Sequence, residues 1–347
     1  MSIPVRRSRA LRAIAAVTVL TALAAACGSD SEATATTIAL PQAVIVTHVD
    51  GDPVSQLMAA LYAQGLENAG LRVIRKDPIG DRTVYYDALQ QGTVEVVPEL
   101  TGDLLEYLHS IGATPQTTTS TIATTTTTTV PGASAPVTAS TVVDTAPTTT
   151  ATLPADPRTI TDQTDVIRSL LPFELSISDA STAEDKQVIA CSAAATDAHT
   201  LGTLTDLGAV ADQIKLGGPT GFETSTPLGL ETLADSYHAD FAQFVPLAAD
   251  QVADAVKNGT VDCAVVSSVD PVIADQTMTV LLDDKALVDP NAVVALVNGQ
   301  AGTAEVLQAL NTVDTKLTQA DLTSMLGEMA NKGQAADYLA SVFLSKA

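Results

Sequence analysis

His48 and Asp50 stand two residues apart just after the first apolar segment of the folded chain, and an imidazole near a carboxylate is a common general acid/base arrangement. Residues two apart on a strand merely share a face. No nucleophile or metal-ligand set accompanies the pair, so it reads as structural. The four histidines, His48, His109, His199 and His238, are scattered and none lies near a cysteine pair, so metal-ligand spacing is absent. Gly-x-Ser-x-Gly elbows, phosphate-cradling glycine loops and His-Glu-x-x-His helices are also absent. An enzyme is therefore not expected, and no catalytic residue, metal or cofactor is assigned. Cys191 and Cys263 are either a disulfide or two small buried side chains, a choice that spacing leaves open.

The third cysteine, Cys27, closes a leader. Arg6, Arg7, Arg9 and Arg12 form a positive start, and Ala13 to Ala26 form an apolar stretch too short to cross a bilayer as a stable helix. Leu23-Ala24-Ala25-Ala26-Cys27 resembles a bacterial lipobox, with the leucine one place further from the cysteine than usual. An ordinary secretory signal is the alternative. Residues 1–26 are thus expected to be removed, Cys27 to be lipidated, and residues 27–39 to tether the fold to the outer face of the cytoplasmic membrane. One acyl chain binds a membrane only marginally, so durable anchoring requires several on Cys27. Without the four leader arginines, 13 of the 17 Lys and Arg remain against 40 Asp and Glu, which makes nucleic acid and anionic lipid poor partners.

Two stretches lack apolar periodicity: Asp30 to Thr37, and a Thr/Pro/Ala run over residues 113–157. The second is expected to be a disordered insert, a spacer whose composition also suits O-glycosylation. It either joins two domains or interrupts a surface loop. Elsewhere strand-like and helix-like segments alternate. Ala43 to Val46 reads as a buried strand, Pro53 to Ala69 as an amphipathic helix stopped by Gly70, and Leu71 to Ile74 as a second strand. This βαβ opening implies a parallel sheet. An internal echo follows: Ala88 to Val97 and Ala255 to Val265 each place a glycine after a helix and a β-branched strand after the glycine. Two such units suggest two similar α/β lobes. Further strands are expected at Thr279–Leu282 and Ala292–Val297, and helices near Thr303–Leu317, Thr318–Met329 and Ala335–Phe343, with a capping box at Thr318 and Asp321.

The run Ala88 to Asp103, ALQQGTVEVVPELTGD, resembles the substrate-binding proteins of osmoprotectant (glycine betaine, choline, carnitine) ABC importers, which write A-L-x-x-G-x-I-D-x-Y-P-E-Y-T-G-T there. Ala255 to Ile273 is similar to that family's A-L-x-N-G-x-V-D-V-A-x-A-Y-T-T-D-G-x-I. Leu281-Leu-Asp-Asp-Lys285 with Asn291-Ala292 is similar to its L-E-D-D-K…N-A segment. The resemblance implies a type II periplasmic-binding-protein fold: two α/β lobes joined by crossing strands, with a ligand cleft between them. On that map residues 40–112, 158–182 and 272–347 form one lobe and residues 183–271 the other. It also implies a monomer that delivers a small solute to ABC permease subunits.

The family holds its quaternary ammonium in a cage of tyrosines, because a cation without N–H donors is best attracted by aromatic faces. Where the family writes tyrosine, this chain has Val97, Leu100, Ser267 and Pro290. The family's carboxylate-binding arginine falls near Ser225, after Gly221-Phe222, and its early lysine near Asp50. The cleft implied by the resemblance takes Asp50, Asp52, Glu99, Thr101, Ser225, Ser267 and Asp270, with Arg82 and Thr83 after Gly80, and Asn291. Such a cleft is polar and acid-leaning, suited to a cationic or polyhydroxylated solute. Each residue also has a structural reading: Asp50 and Asp52 as helix caps, Glu99 as a satisfied carboxylate, Thr101-Gly102 as a turn. The competing function is a cell-envelope interaction protein that kept this fold and lost betaine binding.

Overall fold

The computed structural model describes residues 43–116 and 159–346. The leader, Cys27, the tether and residues 117–157 of the Thr/Pro-rich insert lie outside the described residues. The chain begins β1 (Val44–Val46), α1 (Pro53–Asn68), β2 (Val73–Arg75), α2 (Arg82–Gln90), β3 (Val96–Leu100), α3 (Thr101–Ser110), α4 (Ile160–Leu170) and β4 (Leu175–Ile177). A second series follows: β5 (Gln187–Cys191), α5 (Ala193–His199), α6 (Leu204–Gly208), β6 (Lys215–Gly218), α7 (Leu230–Tyr237), β7 (Gln243–Pro246), α8 (Val252–Lys257), β8 (Cys263–Ser267), α9 (Val272–Asp275) and β9 (Thr279–Val280). The chain then returns through β10 (Val293–Asn298), α10 (Ala304–Lys316), α11 (Gln319–Lys332) and α12 (Ala336–Ser345).

The strands form two five-stranded sheets, ordered β2-β1-β3-β10-β4 and β7-β6-β8-β5-β9. Each has the same pattern: three parallel strands, then an antiparallel one. β10 runs against β3 and β4, as β5 runs against β8 and β9. The echoed units deliver the middle strand of each sheet. Gly92 and Gly259, at φ 68° and 73°, end α2 and α8 in the left-handed conformation that a side chain would strain.

Both sheets are covered on both faces, so their central strands are apolar throughout. Along β10, Val293, Ala295 and Val297 join the core under α1, α10, α11 and α12, while Val294 and Leu296 join the opposite core under α2, α3 and α4. In the second sheet, Ile189, Cys191, Cys263 and Val265 face one core and Ala190, Ala264 and Val266 the other. Cys191 and Cys263 are direct cross-strand partners and are disulfide-bonded, with Cα atoms 3.9 Å apart. The bond closes a 72-residue separation and so removes chain entropy from the unfolded state, worth about 4 kcal/mol.

α1 anchors the first lobe. Asp52 accepts from the Val54 and Ser55 amides at 2.9 and 3.1 Å, and Pro53 occupies the first helical position, where no amide is needed. Leu57, Met58, Leu61, Tyr62 and Leu66 are fully buried, and each large apolar side chain contributes about 1.5–3 kcal/mol. The Thr318–Asp321 capping box starts α11.

The insert leaves and re-enters one lobe. Thr101 Oγ1 of α3 donates to Gln163 Oε1 of α4 at 2.7 Å, and the Gln116 amide donates to Ser169 O at 2.8 Å. The described chain on either side of residues 117–158 is therefore held together within the first lobe.

Two segments cross between the lobes, residues 178–186 and 289–292. They run antiparallel: the Ser181 amide donates to Val293 O, Val293 N to Ala183 O, and Asp185 N to Asn291 O, at 2.9 to 3.0 Å. The return to the first lobe, expected at residue 272, falls later. Val272 packs in the second lobe, β9 pairs with β5, and Leu281 is buried in the second lobe's core. Thr279–Leu282 is too short to carry a period that assigns it to either sheet. Only its first two residues form a strand, and Leu282 makes an isolated bridge to Thr203.

One acid lies inside the first lobe. Asp314 is 1% exposed; Tyr62 donates its hydroxyl to Oδ1 and Ser178 to Oδ2, both at 2.7 Å. Burial pushes its pKa up to about 8 despite these hydrogen bonds. The folded chain therefore keeps a proton that the unfolded chain releases near pH 4, and this group weakens the fold by up to about 1.4 kcal/mol per pH unit as pH rises from about 4 to 8. Asp314→Asn, measured by urea unfolding, is expected to match the wild type within about 1 kcal/mol at pH 5 and to exceed it by about 2 kcal/mol at pH 9. An offset that is the same at both pH values contradicts this assignment.

Candidate functional site

In the first sheet, α1 follows β1 on one face while α2 follows β2 on the other. The connections thus diverge at the carboxyl ends of β1 and β3, and a crevice opens at such a switch point. A recess of about 220 Å³ lies there. The β1–α1 turn supplies Val49, Asp52, Val54 and Ser55; the start of α2 supplies Asp81, Arg82 and Tyr85; the end of β3 supplies Pro98, Glu99 and Leu100; Met58, Asp103 and Val293 complete it.

Glu99 organises this wall. Its side chain is 2% exposed, and an unpaired carboxylate at that depth is costly. Arg82 forks onto it, Nε to Oε1 at 2.7 Å and Nη2 to Oε2 at 3.1 Å, Tyr85 donates its hydroxyl to Oε1, and the Leu100 amide donates to Oε2 at 2.9 Å. Burial works to lower the Arg82 pKa, but the hydrogen bonds and charge of Glu99 outweigh it and hold the guanidinium protonated. Burial and the Glu99 charge raise Tyr85, which stays a neutral donor.

The remaining carboxylates are less well matched. Asp52 uses only Oδ1 in its cap, and no partner for Oδ2 occurs among the described residues. Asp103 accepts from Asn291 Nδ2 at 3.3 Å and lies 3.6 Å from Arg82 Nη2; burial raises its pKa against the pull of Arg82 and Asn291. On the crossing segment, Asp185 accepts from the Ser267 hydroxyl. Burial raises its pKa, Ser267 opposes this, and the charges of Asp52, Asp103 and Asp270 push it further up. Carboxylates of the first lobe and of the second lobe therefore both disfavour the charged form of Asp185.

Of the residues expected at the site, Asp52, Arg82 and Glu99 line the recess. Asp50 and Thr83 are exposed nearby, and Thr101 is fully buried, donating to Gln163 and accepting from the Ala292 amide. Asn291 holds the start of α3, its Oδ1 accepting from the Gly102 and Asp103 amides at 2.9 and 3.2 Å, while Nδ2 also donates to Asp185 O at 2.7 Å. Ser225, Ser267 and Asp270 belong to the second lobe, at the equivalent switch point after β6 and β8. There Ser225 closes a turn onto Phe222 O and Leu228 O, and Asp270 accepts from the Val272 amide. They do not line the recess. Val97, at an expected aromatic position, is fully buried in the core and offers nothing to the cleft. His48 lies in a separate recess with Gln56, Arg75 and Asp337. Sequence reading passed over Tyr85, Asp103 and Asp185. Tyr85 was detectable from its i, i+3 spacing to Arg82; Asp185 carries no local signal, because only the crossing brings it to Ser267 and Asn291.

Residues 43–346 match the family model of the substrate-binding domain of ABC-type glycine betaine transport systems. The chain belongs to that family. Among solved structures, that of a glycine betaine/carnitine/choline ABC transporter protein is 19% identical with a TM-score of 0.68, covering 87% of this chain and 98% of that one. Apo YehZ from Escherichia coli is 17% identical with a TM-score of 0.66, covering 88% and 98%. These likenesses establish the fold, the two-lobed type II periplasmic-binding-protein architecture. No curated protein sequence matches. Proteins of this substrate-binding family are extracytoplasmic and bind solute rather than catalyse a reaction. Among the described residues, no helix is long and apolar enough to cross a membrane.

Against this family background the placement of the aromatic rings matters. The chain has six tyrosines, five phenylalanines and no tryptophan. Tyr62 is in the core with Asp314, Tyr86 and Tyr107 pack edge-to-face at 5.1 Å, and Tyr237 is tied to Asp283 beneath the Lys285 ammonium. Phe222 and Phe244 stack at 5.8 Å within the second lobe, Phe241 packs against that lobe's core, and Phe343 packs on the first-lobe core. Phe173 and Tyr338 are exposed outside the recess. Only Tyr85 reaches the recess wall, and its hydroxyl is committed to Glu99.

Removing Arg82 strands Glu99. Arg82→Ala is expected to cost about 3 kcal/mol in urea unfolding, and the double variant Arg82→Ala/Glu99→Gln to recover at least half of that. A loss below about 1 kcal/mol for the single variant shows that Glu99 finds another partner and that the pair does not organise the wall.

Proposed function

We propose that this protein is the lipid-anchored, extracytoplasmic solute-binding component of an ABC import system of the osmoprotectant or quaternary-amine-like class, and that it delivers a small cationic solute to membrane permease subunits. The observation that carries this reading is the acid-lined recess at the first lobe's switch point, whose one arginine is already neutralised by Glu99. A cation placed there meets the free oxygen of Asp52 and the partly matched Asp103, and it relieves the repulsion felt by Asp185. Ser225, Ser267 and Asp270 lie at the second lobe's equivalent switch point. Bending at the two crossing segments brings that wall onto the solute and changes the surface that a permease reads. The net charge, −23 for the full sequence and −27 without the four leader arginines, favours approach of cations over anions.

The test is thermal unfolding of the chain from residue 28, which retains every described residue, against betaine, choline, carnitine, ectoine, polyamines, amino acids and sugars. A solute selective for the folded state raises the midpoint by mass action. The expected result is a saturable rise of several degrees with at least one organic cation, weakened by 0.5 M salt. Silence across the panel from a cooperatively folding sample favours the envelope-interaction function instead.

The leader and Cys27 supply the anchor in this proposal. Cys27→Ala is expected to move the exported protein from the membrane pellet to the soluble fraction without changing its thermal midpoint. Continued sedimentation with the membrane rules out acylation of Cys27 as the tether.

A further inference from the structure

We propose that the solute is a protonated amine that keeps N–H bonds and carries no carboxylate, such as an alkanolamine or short diamine, rather than a quaternary ammonium. This rests on the solute-binding reading above and concerns the same recess.

Two placements carry it. A quaternary ammonium has no N–H donor and is recognised by aromatic faces. The recess has one aromatic wall residue, Tyr85, and every other ring of the chain lies outside it. An ammonium with N–H bonds is recognised instead by carboxylate oxygens placed to accept them. Asp52 presents a free Oδ2 beside the recess, and Asp103, half-exposed, makes only a 3.3 Å hydrogen bond and a 3.6 Å ion pair. The second placement concerns a carboxylate on the solute. Arg82 is the only basic residue of the recess, and two of its donors and its charge are spent on the buried Glu99, so a zwitterion's carboxylate competes with that anion for one guanidinium. Betaine, carnitine and free amino acids are disfavoured on that ground. Methylation of the ammonium is disfavoured because it replaces donors by apolar volume among carboxylates.

Ethanolamine and choline differ only in the methyl groups on nitrogen, and titration calorimetry of the chain from residue 28 at pH 7 and fixed ionic strength compares them directly. 1,4-Diaminobutane and betaine complete the set. Ethanolamine or the diamine is expected to bind at least about tenfold more tightly than choline, the difference made by one charge-assisted hydrogen bond, with betaine weakest. Asp52→Asn keeps a competent helix cap and removes the charge. It is expected to weaken amine binding about tenfold while leaving the thermal midpoint of the free protein within about 2 °C. Choline binding as tightly as ethanolamine, or betaine binding tightly, overturns the inference and leaves the solute-binding function standing. Binding of a sugar or another uncharged solute alone overturns the inference as well. No binding by any member of the broader panel removes both.

Discussion

A carboxylate buried at the end of β3 has to be neutralised, and the site follows from how this is done. Glu99 lies almost wholly out of solvent, and Arg82, one helix start away, provides the fork that satisfies both its oxygens. Tyr85, one turn along α2, adds a hydroxyl. The cluster fixes the beginning of α2 against β3 and so shapes the recess. It also consumes the only cation there. What remains facing the cleft is acidic, and an anionic group on a solute meets only a guanidinium whose charge Glu99 already balances.

The second constraint is topological. Each sheet is completed by an antiparallel strand that the chain reaches by crossing between lobes, β5 after β4 and β10 after β9. The two crossings bond to each other through residues 181–185 and 291–293, so the lobes are joined by a two-stranded ribbon. Side contacts reinforce it: Gln319 Nε2 of α11 donates to Glu184 O and Ser268 O at 3.1 Å, and Val269 is buried in the first lobe's core. Asp185 sits within this ribbon, where it senses carboxylates of both lobes.

Packing is distributed unequally between the lobes. The first has a long buried helix, α1, between sheet and C-terminal helices, and it tolerates a buried acid at Asp314. The second has shorter helices and smaller cores, with the Cys191–Cys263 bond across its two central strands. An oxidising compartment suits that bond, in keeping with the extracytoplasmic placement of the family.

Local pattern in the sequence determined the elements: the βαβ opening, the Asp52 cap, the helix-glycine-strand echo and the Thr318 capping box all depend on neighbours within a few residues. The acid-leaning character of the site was also readable, since Asp52 and Glu99 are conspicuous where tyrosines and cations are missing. Tertiary structure decided the rest. Whether Cys191 meets Cys263 depends on the register of two strands far apart in the chain, and a two-residue strand such as Thr279–Val280 joins whichever sheet edge the crossing leaves beside it. Arg82 became a neutralising partner rather than a ligand donor because Glu99, seventeen residues on, is buried beside it. Asp185 acquired its surroundings only when the ribbon set it against Ser267 and Asn291. Hydrogen-bonded caps and turns are short-range and appear in sequence; desolvation and charge pairing depend on what lies across a fold, and they appear only when the chain is folded.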